Sequence, residues 1–130
     1  MNTFELNDLH ELYELYDSPP DLGGCLMFSA HIDERDTSVT LGFQTDRLPD
    51  RPRPEWADTT YNTFVFSLVF REVAELRIRG ILAEAQREVS LVPGPEGRIA
   101  VSVTGPHRSI AFTAGDCGVT GVGVRLQGGV

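Results

Sequence analysis

Apolar and polar residues alternate along most of the chain from residue 26 onward, and the alternation is clearest in two neighbouring segments. Successive side chains of a strand point to opposite faces of a sheet, so each segment predicts a strand with one buried face. The turn sequence DERDTS between the two segments predicts a β-hairpin. The residues predicted to be buried are Leu26, Phe28, Ala30 and Ile32 in the first segment and Val39, Leu41 and Phe43 in the second.

Further alternating segments follow from residue 89, separated by the turn sequences PGPEG, GPHR and GDCG. Short strands at roughly ten-residue spacing with glycine and proline turns are typical of an antiparallel sandwich or barrel. The last segment, GVTGVGVRLQGG, is rich in glycine, which predicts a bulged or edge strand. The alternating apolar positions are Val89 and Leu91, then Ile99, Val101 and Val103, then Ile110 and Phe112, and finally Val122, Val124 and Leu126.

The segment FVFSLVFREVAELRIRG, residues 64–80, contains a stretch that also resembles a helix. A helix over residues 71–80 would place Leu76 and Ile78 about 200° apart around its axis, so the two would not share a face. As strands, the even-numbered positions from 64 to 78 are all apolar except Glu72. One strand over the whole segment would exceed the usual length of about 3–10 residues. The segment therefore predicts two strands with a bend or bulge at residues 71–73.

One helix is predicted at the N-terminus, from Phe4 to Tyr16, where leucine and tyrosine recur at spacings of three and four. The sequence DSPPDLGG, with two prolines and two glycines, ends it. The whole pattern predicts a mainly β fold of the α+β type: an antiparallel β-sandwich or open barrel of about eight short strands with one N-terminal helix. Its 130 residues fit a single domain, 1–130.

The long polar connection of residues 45–62, TDRLPDRPRPEWADTTYN, contains three prolines and the only tryptophan. Proline makes such a segment stiff and extended, and loops of this length are often functional. Trp56 has two interpretations: it closes one end of the β-core, or it anchors an interface, where tryptophan is over-represented. Tyr61 fits either role.

The net charge of −8 is unevenly distributed. Residues 1–60 carry 13 acidic and 4 basic side chains, whereas residues 61–130 carry 6 acidic and 7 basic ones. Phosphate repels carboxylate, so an acidic chain is a poor candidate for binding nucleic acid, and we expect no nucleic-acid partner. The charge suits a basic protein partner, because opposite fields accelerate association. The structural alternative is that the charge serves only solubility.

Catalytic motifs are missing from the sequence. There is no nucleophile elbow, P-loop or dinucleotide fingerprint, and the three histidines are far apart. Asp33, Glu34 and Asp36 lie in one turn but lack the ligand number and glycine of a calcium loop. Cys117 is expected in a turn, and Cys25 and Cys117 lack the paired spacing of a zinc site. We therefore expect no enzyme activity, no cofactor and no metal.

The N-terminal segment predicts no secretory signal. The start, MNTFE, lacks the basic and apolar regions of a secretory leader. No apolar run approaches the roughly 18 residues needed to span a bilayer. These features predict a cytoplasmic protein without a membrane partner, whose two cysteines stay reduced.

The order of the segments resembles the immunity protein 50 family of bacterial polymorphic toxin systems. The resemblance covers nearly the full length, and its matching pieces are Leu15-Tyr16, Pro20-Asp21-Leu22, Pro54-x-Trp56 and Phe70-x-x-Val73-x-x-Leu76-x-Ile78-x-Gly80. The resemblance implies a non-catalytic protein that binds and neutralises a cognate toxin domain.

The charge distribution points to a candidate surface for that partner, made of the N-terminal helix, the predicted hairpin turn at residues 33–36 and the long loop of residues 45–62. Two alternatives stay open: a β-sandwich or barrel that binds a small ligand, and a structural module that forms a homodimer through its glycine-rich last strand. The candidate contact residues are Asp33, Glu34, Asp36, Asp46, Asp50, Glu55, Trp56, Asp58 and Tyr61.

Overall fold

The computed structural model describes residues 10–80 and 88–126. Within these ranges the chain forms one short helix and eight strands in two four-stranded antiparallel sheets. Single 3-10 turns cover Leu22–Gly24, Pro54–Trp56 and Pro95–Gly97. The helix is α1 (His10–Leu15), and the strands are β1 (Leu26–Asp33), β2 (Ser38–Thr45), β3 (Thr63–Arg71), β4 (Ala74–Arg79), β5 (Glu88–Pro93), β6 (Ile99–Thr104), β7 (Ser109–Ala114) and β8 (Asp116–Arg125).

The sheets do not close into a barrel, which confirms the mainly β prediction and selects the sandwich. The strand order is β1-β2-β3-β8 in the first sheet and β4-β7-β6-β5 in the second. Alternate residues of β3, β6 and β7 are buried, as expected where each sheet turns one face to the core. Phe70 of the first sheet meets Phe112 of the second edge-to-face, with ring centroids 5.2 Å apart. The core lies between the sheets.

The chain passes from the first sheet to the second at Glu72 and Val73, between β3 and β4. Two strands around a corner are therefore confirmed for residues 64–80. Glu72 has a left-handed backbone with φ of 55°, which an L-residue rarely adopts. The parity prediction holds in β3, but β4 contains a bulge between Ala74 and Arg77, and Ile78 remains 49% exposed on this edge strand.

The predicted inner face of β1 is wrong at Leu26 and Phe28, because a bulge changes the parity there, whereas Ala30 and Ile32 pair with the buried Leu41 and Val39 as predicted. The register shifts between Met27 and Ser29, so the buried residue is Met27. Phe28 lies over Gly42 on the outer face and is 47% exposed. Ile32 pairs with the buried Val39 on the inner side, yet it remains 38% exposed because β1 is an edge strand.

Three further predictions, for the first helix, the last strand and Cys117, have mixed outcomes. The helix ends at Leu15, directly before the proline-rich stop, while residues 4–9 of the predicted helix lie outside the described residues. The glycine-rich last segment is confirmed as a bulged edge strand, with a register shift opposite Val65–Ser67 and a φ of 63° at Gly121. The turn predicted for Cys117 is wrong: β8 begins at Asp116, and Cys117 is buried opposite Phe70.

Candidate functional site

The candidate contact residues divide between two ends of the sandwich. Asp33, Glu34 and Asp36 lie at the hairpin tip (residues 33–37), directly before β2. The others follow the end of β2, in the 46–62 loop. An eight-residue strand spans about 23 Å, so β2 holds the two groups apart. The structure therefore brings the loop residues into one region and leaves the hairpin tip as a separate patch.

Arg51 ties the 46–62 loop to the end of α1. Its guanidinium donates hydrogen bonds to the carbonyl oxygens of Tyr13 (2.8 Å) and Glu14 (3.0 Å), and its backbone N–H donates to the carbonyl of Leu15 (2.9 Å). It also forms an ion pair with Asp17. The last carbonyls of a helix lack partners within the helix and carry partial negative charge, so a cation at this position stabilises the helix.

Two more arginines of the 46–62 loop pack on aromatic rings. The guanidinium of Arg47 lies 5.2 Å from the ring centroid of Tyr16, whose hydroxyl donates to the Arg47 carbonyl at 2.5 Å. Burial raises the pKa of Tyr16, so this hydroxyl remains a neutral donor. Arg53 lies 5.6 Å from the ring of Trp56 and 3.8 Å from the carboxylate of Glu11. All three loop arginines are thus engaged within the molecule.

The loop carboxylates are left facing solvent. In the described part of the chain, Asp46, Glu55 and Asp58 are exposed and form no ion pair or side-chain hydrogen bond. Asp50 differs, because its carboxylate accepts the backbone N–H of Asp17 at 2.9 Å. Arg51 and Arg53 each face a carboxylate outside the loop, Asp17 and Glu11, whereas Asp46, Glu55 and Asp58 have no ion pair, so acidic groups outnumber basic ones and this end of the sandwich presents a negative field.

Trp56 closes the core at the same end. Only 9% of its surface is exposed, and its ring meets those of Tyr61 and Phe64 edge-to-face at 6.4 and 6.3 Å. Tyr61 is half-buried beside it. This placement supports the structural interpretation of Trp56, in which the buried ring packs on the core and holds the loop, while the loop carboxylates are exposed to solvent.

The hairpin tip is a self-contained turn. The carboxylate of Asp33 accepts the backbone N–H of Arg35 at 3.1 Å and lies 3.6 Å from its guanidinium. Glu34 and Asp36 are exposed. Among the residues that the structure describes, no three histidine, cysteine or carboxylate side chains converge on a position that would hold a metal ion.

Comparison with known proteins supplies the family. The family model described as immunity protein 50 matches residues 9–124. This chain belongs to the immunity protein 50 family. Searches of the curated proteins and of the solved structures found no match to this chain.

The pieces that carry the family resemblance are mostly scaffold in this immunity protein 50 member. Leu15 and Tyr16 are buried at the end of α1, Trp56 closes the core, and Phe70 packs between the sheets. Family membership therefore predicts the fold, while the contact surface has to be inferred from exposed charge. Sequence reasoning missed the arginines that secure the loop, because their partners lie more than 30 residues away.

A cleft of about 590 Å³ lies between α1, residues 17–22 and β5 of this family member. Asp17 and Asp21 are its charged lining residues, and Asp17 is paired with Arg51. Among the described residues that line it there is no histidine or cysteine. Within the described ranges, no helix has the length and apolar character to cross a bilayer. The lining residues are Leu12, Tyr13, Asp17, Ser18, Pro19, Pro20, Asp21, Leu22, Val89, Ser90 and Leu91.

Cys25 is an unreactive thiol. Burial raises its pKa to about 11, the carboxylate of Asp21 adds to the shift, and a hydrogen bond with Thr45 opposes it. Its Sγ donates to the Asp21 carbonyl at 3.5 Å. Since the thiolate is the nucleophile, burial and the low thiolate fraction both protect Cys25 at neutral pH.

In a Cys117→Ala background, we expect iodoacetamide to alkylate Cys25 at pH 7.5 about 100-fold more slowly in the folded protein than in urea. The folded state holds the thiol proton more tightly than the unfolded state. The neutral thiol of Cys25 therefore stabilises the folded state fully below pH 9, the ordinary pKa of a thiol. This stabilisation is lost as the pH rises through about 11, the pKa of Cys25 in the folded state. Mass spectrometry of quenched samples gives both rates, and rates within tenfold of each other would contradict the assignment.

Proposed function

We propose that this immunity protein 50 member binds and neutralises a cognate toxin domain without catalysing a reaction. The observation that carries the proposal is the family match over residues 9–124. The geometry is compatible with it, because the 46–62 loop presents the exposed carboxylates of Asp46, Glu55 and Asp58 to a partner. Binding alone then blocks the toxin, and the protein acts in the cytoplasm of the cell that makes both.

The 46–62 loop is the contact surface that the charges favour. Asp46, Glu55 and Asp58 are unpaired and exposed there, over a base stiffened by proline and held to α1 by Arg51. A surface held in one conformation loses less entropy on binding. Asp50, Trp56 and Tyr61 contribute indirectly, because their contacts within the molecule hold the loop in place. The hairpin tip is a second acidic patch that a large partner would reach separately.

The partner that this surface fits is a basic protein domain. A toxin that acts on nucleic acid needs a positive active site, and an acidic surface can occupy such a site in place of phosphate. Long-range attraction accelerates the encounter and makes the association rate fall with ionic strength. No nucleic-acid or membrane contact is part of the proposal.

The 590 Å³ cleft beside β5 favours a second candidate, a domain that binds a small ligand. Its volume lies within the usual range of about 300–1,000 Å³ for ligand sites. Its lining mixes prolines, leucines, serines and two aspartates, which would suit a small polar or cationic molecule. A homodimer through the edge strand β8 is the remaining alternative, because that edge has no further strand beside it among the described residues.

Co-expression tests the proposed function. The domain to test is the C-terminal domain of any secreted protein found to be encoded beside this gene, placed under an inducible promoter in a bacterial host. We expect co-expression of this protein to restore growth, and the purified toxin domain to form a stable complex with it. A host that stays inhibited despite folded, abundant protein would contradict neutralisation of that toxin. Rescue without a complex would contradict the binding mechanism.

A further inference from the structure

A groove of about 270 Å³ lies at the end of the sandwich opposite the 46–62 loop, between the hairpin tip and the start of β4. Its apolar surface comes from Ile32, Val39, Val73 and Leu76. Val39 is buried, Val73 and Leu76 are half-buried, and Ile32 is 38% exposed. The groove therefore exposes the apolar side chains of Ile32, Val73 and Leu76 over a buried Val39.

Backbone contacts hold the two walls of the groove together. The N–H of Val73 donates to the carbonyl of Thr37 at 2.9 Å, which joins the corner between the sheets to the hairpin tip. The bulge in β4 sets Glu75 and Leu76 opposite a single residue of β7 and so turns both toward the groove rim. The groove is therefore formed by connected backbone and does not depend on one side-chain rotamer.

The rim of the groove is acidic. Asp33, Glu34 and Glu75 line it, and no basic residue does. Arg35 partly offsets Asp33 through their 3.6 Å contact. Of the other nearby arginines, Arg71 pairs with Asp116 and Arg98 donates to the carbonyl of Glu72, while Arg77 lines a neighbouring pocket together with Glu75 and does not line this groove. Glu34 and Glu75 have no ion pair in the part of the chain that the structure describes.

We propose that this groove docks an extended basic segment of a partner protein, in which arginine or lysine alternates with an aliphatic residue. The aliphatic side chain would cover Ile32 and Leu76, and the flanking cations would meet Glu34 and Glu75. Charge complementarity selects this occupant. A second copy of this acidic chain would bring like charges together, and an acidic segment would be repelled in the same way. The proposal does not depend on the identity of a toxin.

The test uses ¹⁵N-labelled full-length protein titrated with the peptide acetyl-Arg-Leu-Arg-Val-Arg-amide at low ionic strength. We expect saturable chemical-shift changes centred on Ile32, Val39, Val73 and Leu76. Two matched peptides separate the contributions. One replaces every arginine by glutamate and should not bind, and the other replaces leucine and valine by serine and should bind more weakly. Equal binding of the serine peptide would overturn the role of the apolar floor.

Charge-matched variants decide whether the site is local. Glu34→Gln with Glu75→Gln should raise the dissociation constant about fivefold, the effect expected for two exposed ion pairs. Asp46→Asn with Glu55→Gln makes the same change of charge at the other end and should alter it less than twofold. Equal effects, or shifts centred on the 46–62 loop, would overturn the proposal.

An apolar variant and a mass measurement complete the test. Ile32→Ser should weaken peptide binding while leaving the thermal midpoint nearly unchanged, because Ile32 is on an exposed edge. Light scattering on the same samples measures the molar mass and so tests whether a second copy of this chain occupies the groove. A dimer that Ile32→Ser dissociates, with no peptide binding, would show that the groove is an interface between copies and would overturn the proposal.

Discussion

Trp56→Ala is expected to lower the free energy of unfolding by about 3–5 kcal/mol, a large part of the stability of a domain of this size. The ring is nearly fully buried and contacts Tyr61 and Phe64 edge-to-face. Its removal leaves a cavity at the end of the core and also takes away the surface on which Arg53 rests. Urea unfolding followed by far-UV circular dichroism measures the loss, since the variant has no tryptophan fluorescence.

Two variants serve as controls for the Trp56 prediction. Trp56→Phe keeps an aromatic ring in the cavity, so we expect it to lose less than half as much stability. Phe28→Ala removes another ring that lies near an arginine, here Arg125 at 5.2 Å, but from the exposed outer face of the first sheet. We expect Phe28→Ala to cost less than about 1 kcal/mol.

The Trp56 result also distinguishes the two interpretations of this residue. A large loss of stability, with the loop carboxylates still required for binding, would identify Trp56 as support for the contact surface. If Trp56→Ala instead keeps wild-type stability and abolishes toxin binding, the ring is an interface anchor and the burial argument is wrong.

Neutralising the three free carboxylates of the 46–62 loop is expected to reduce the association rate with a basic toxin domain by about tenfold or more at low ionic strength. The variant is Asp46→Asn, Glu55→Gln and Asp58→Asn. Asp50 is left unchanged because its carboxylate holds the Asp17 N–H, so its loss would disturb the end of α1. Stopped-flow or surface-plasmon measurements at several salt concentrations give the rate and its salt dependence.

The hairpin tip and a distant turn supply the matched control for this second prediction. Glu34→Gln, Asp36→Asn and Glu96→Gln change the net charge by the same amount, and all three residues are exposed away from the loop. We expect this control to reduce the association rate less than the loop variant does. A larger loss in the control would move the contact surface to the hairpin end, and wild-type rates in both variants would refute charge mimicry.

The β-rich architecture could be read from local pattern. The alternation in β3, β6 and β7 survives in the structure because each strand turns one face to a common core. The corner at Glu72 was also predictable, because a charged residue interrupts the apolar parity there. The distance between the hairpin tip and the 46–62 loop was predictable as well, because the eight-residue strand β2 lies between them in the sequence.

Other features depended on contacts between distant segments. The bulge at Phe28 depends on how β1 pairs with β2, so parity alone placed Phe28 inside. Arg51 reads as a charged loop residue until the fold brings it to the carbonyls of Tyr13 and Glu14. The groove beside β4 exists only because the hairpin tip and the corner between the sheets meet.

By itself, the sequence determined the family, the strand-rich class and the acidic character of the first 60 residues. Periodicity and net charge are local properties, and they survive folding. Only the tertiary structure decided which charges remain free. Folding paired Arg51 with Asp17 and Arg53 with Glu11, placed Arg47 over the ring of Tyr16, and left Asp46, Glu55 and Asp58 facing solvent. A charge acts on a partner only when no closer opposite charge neutralises it, and that depends on distances that the fold sets.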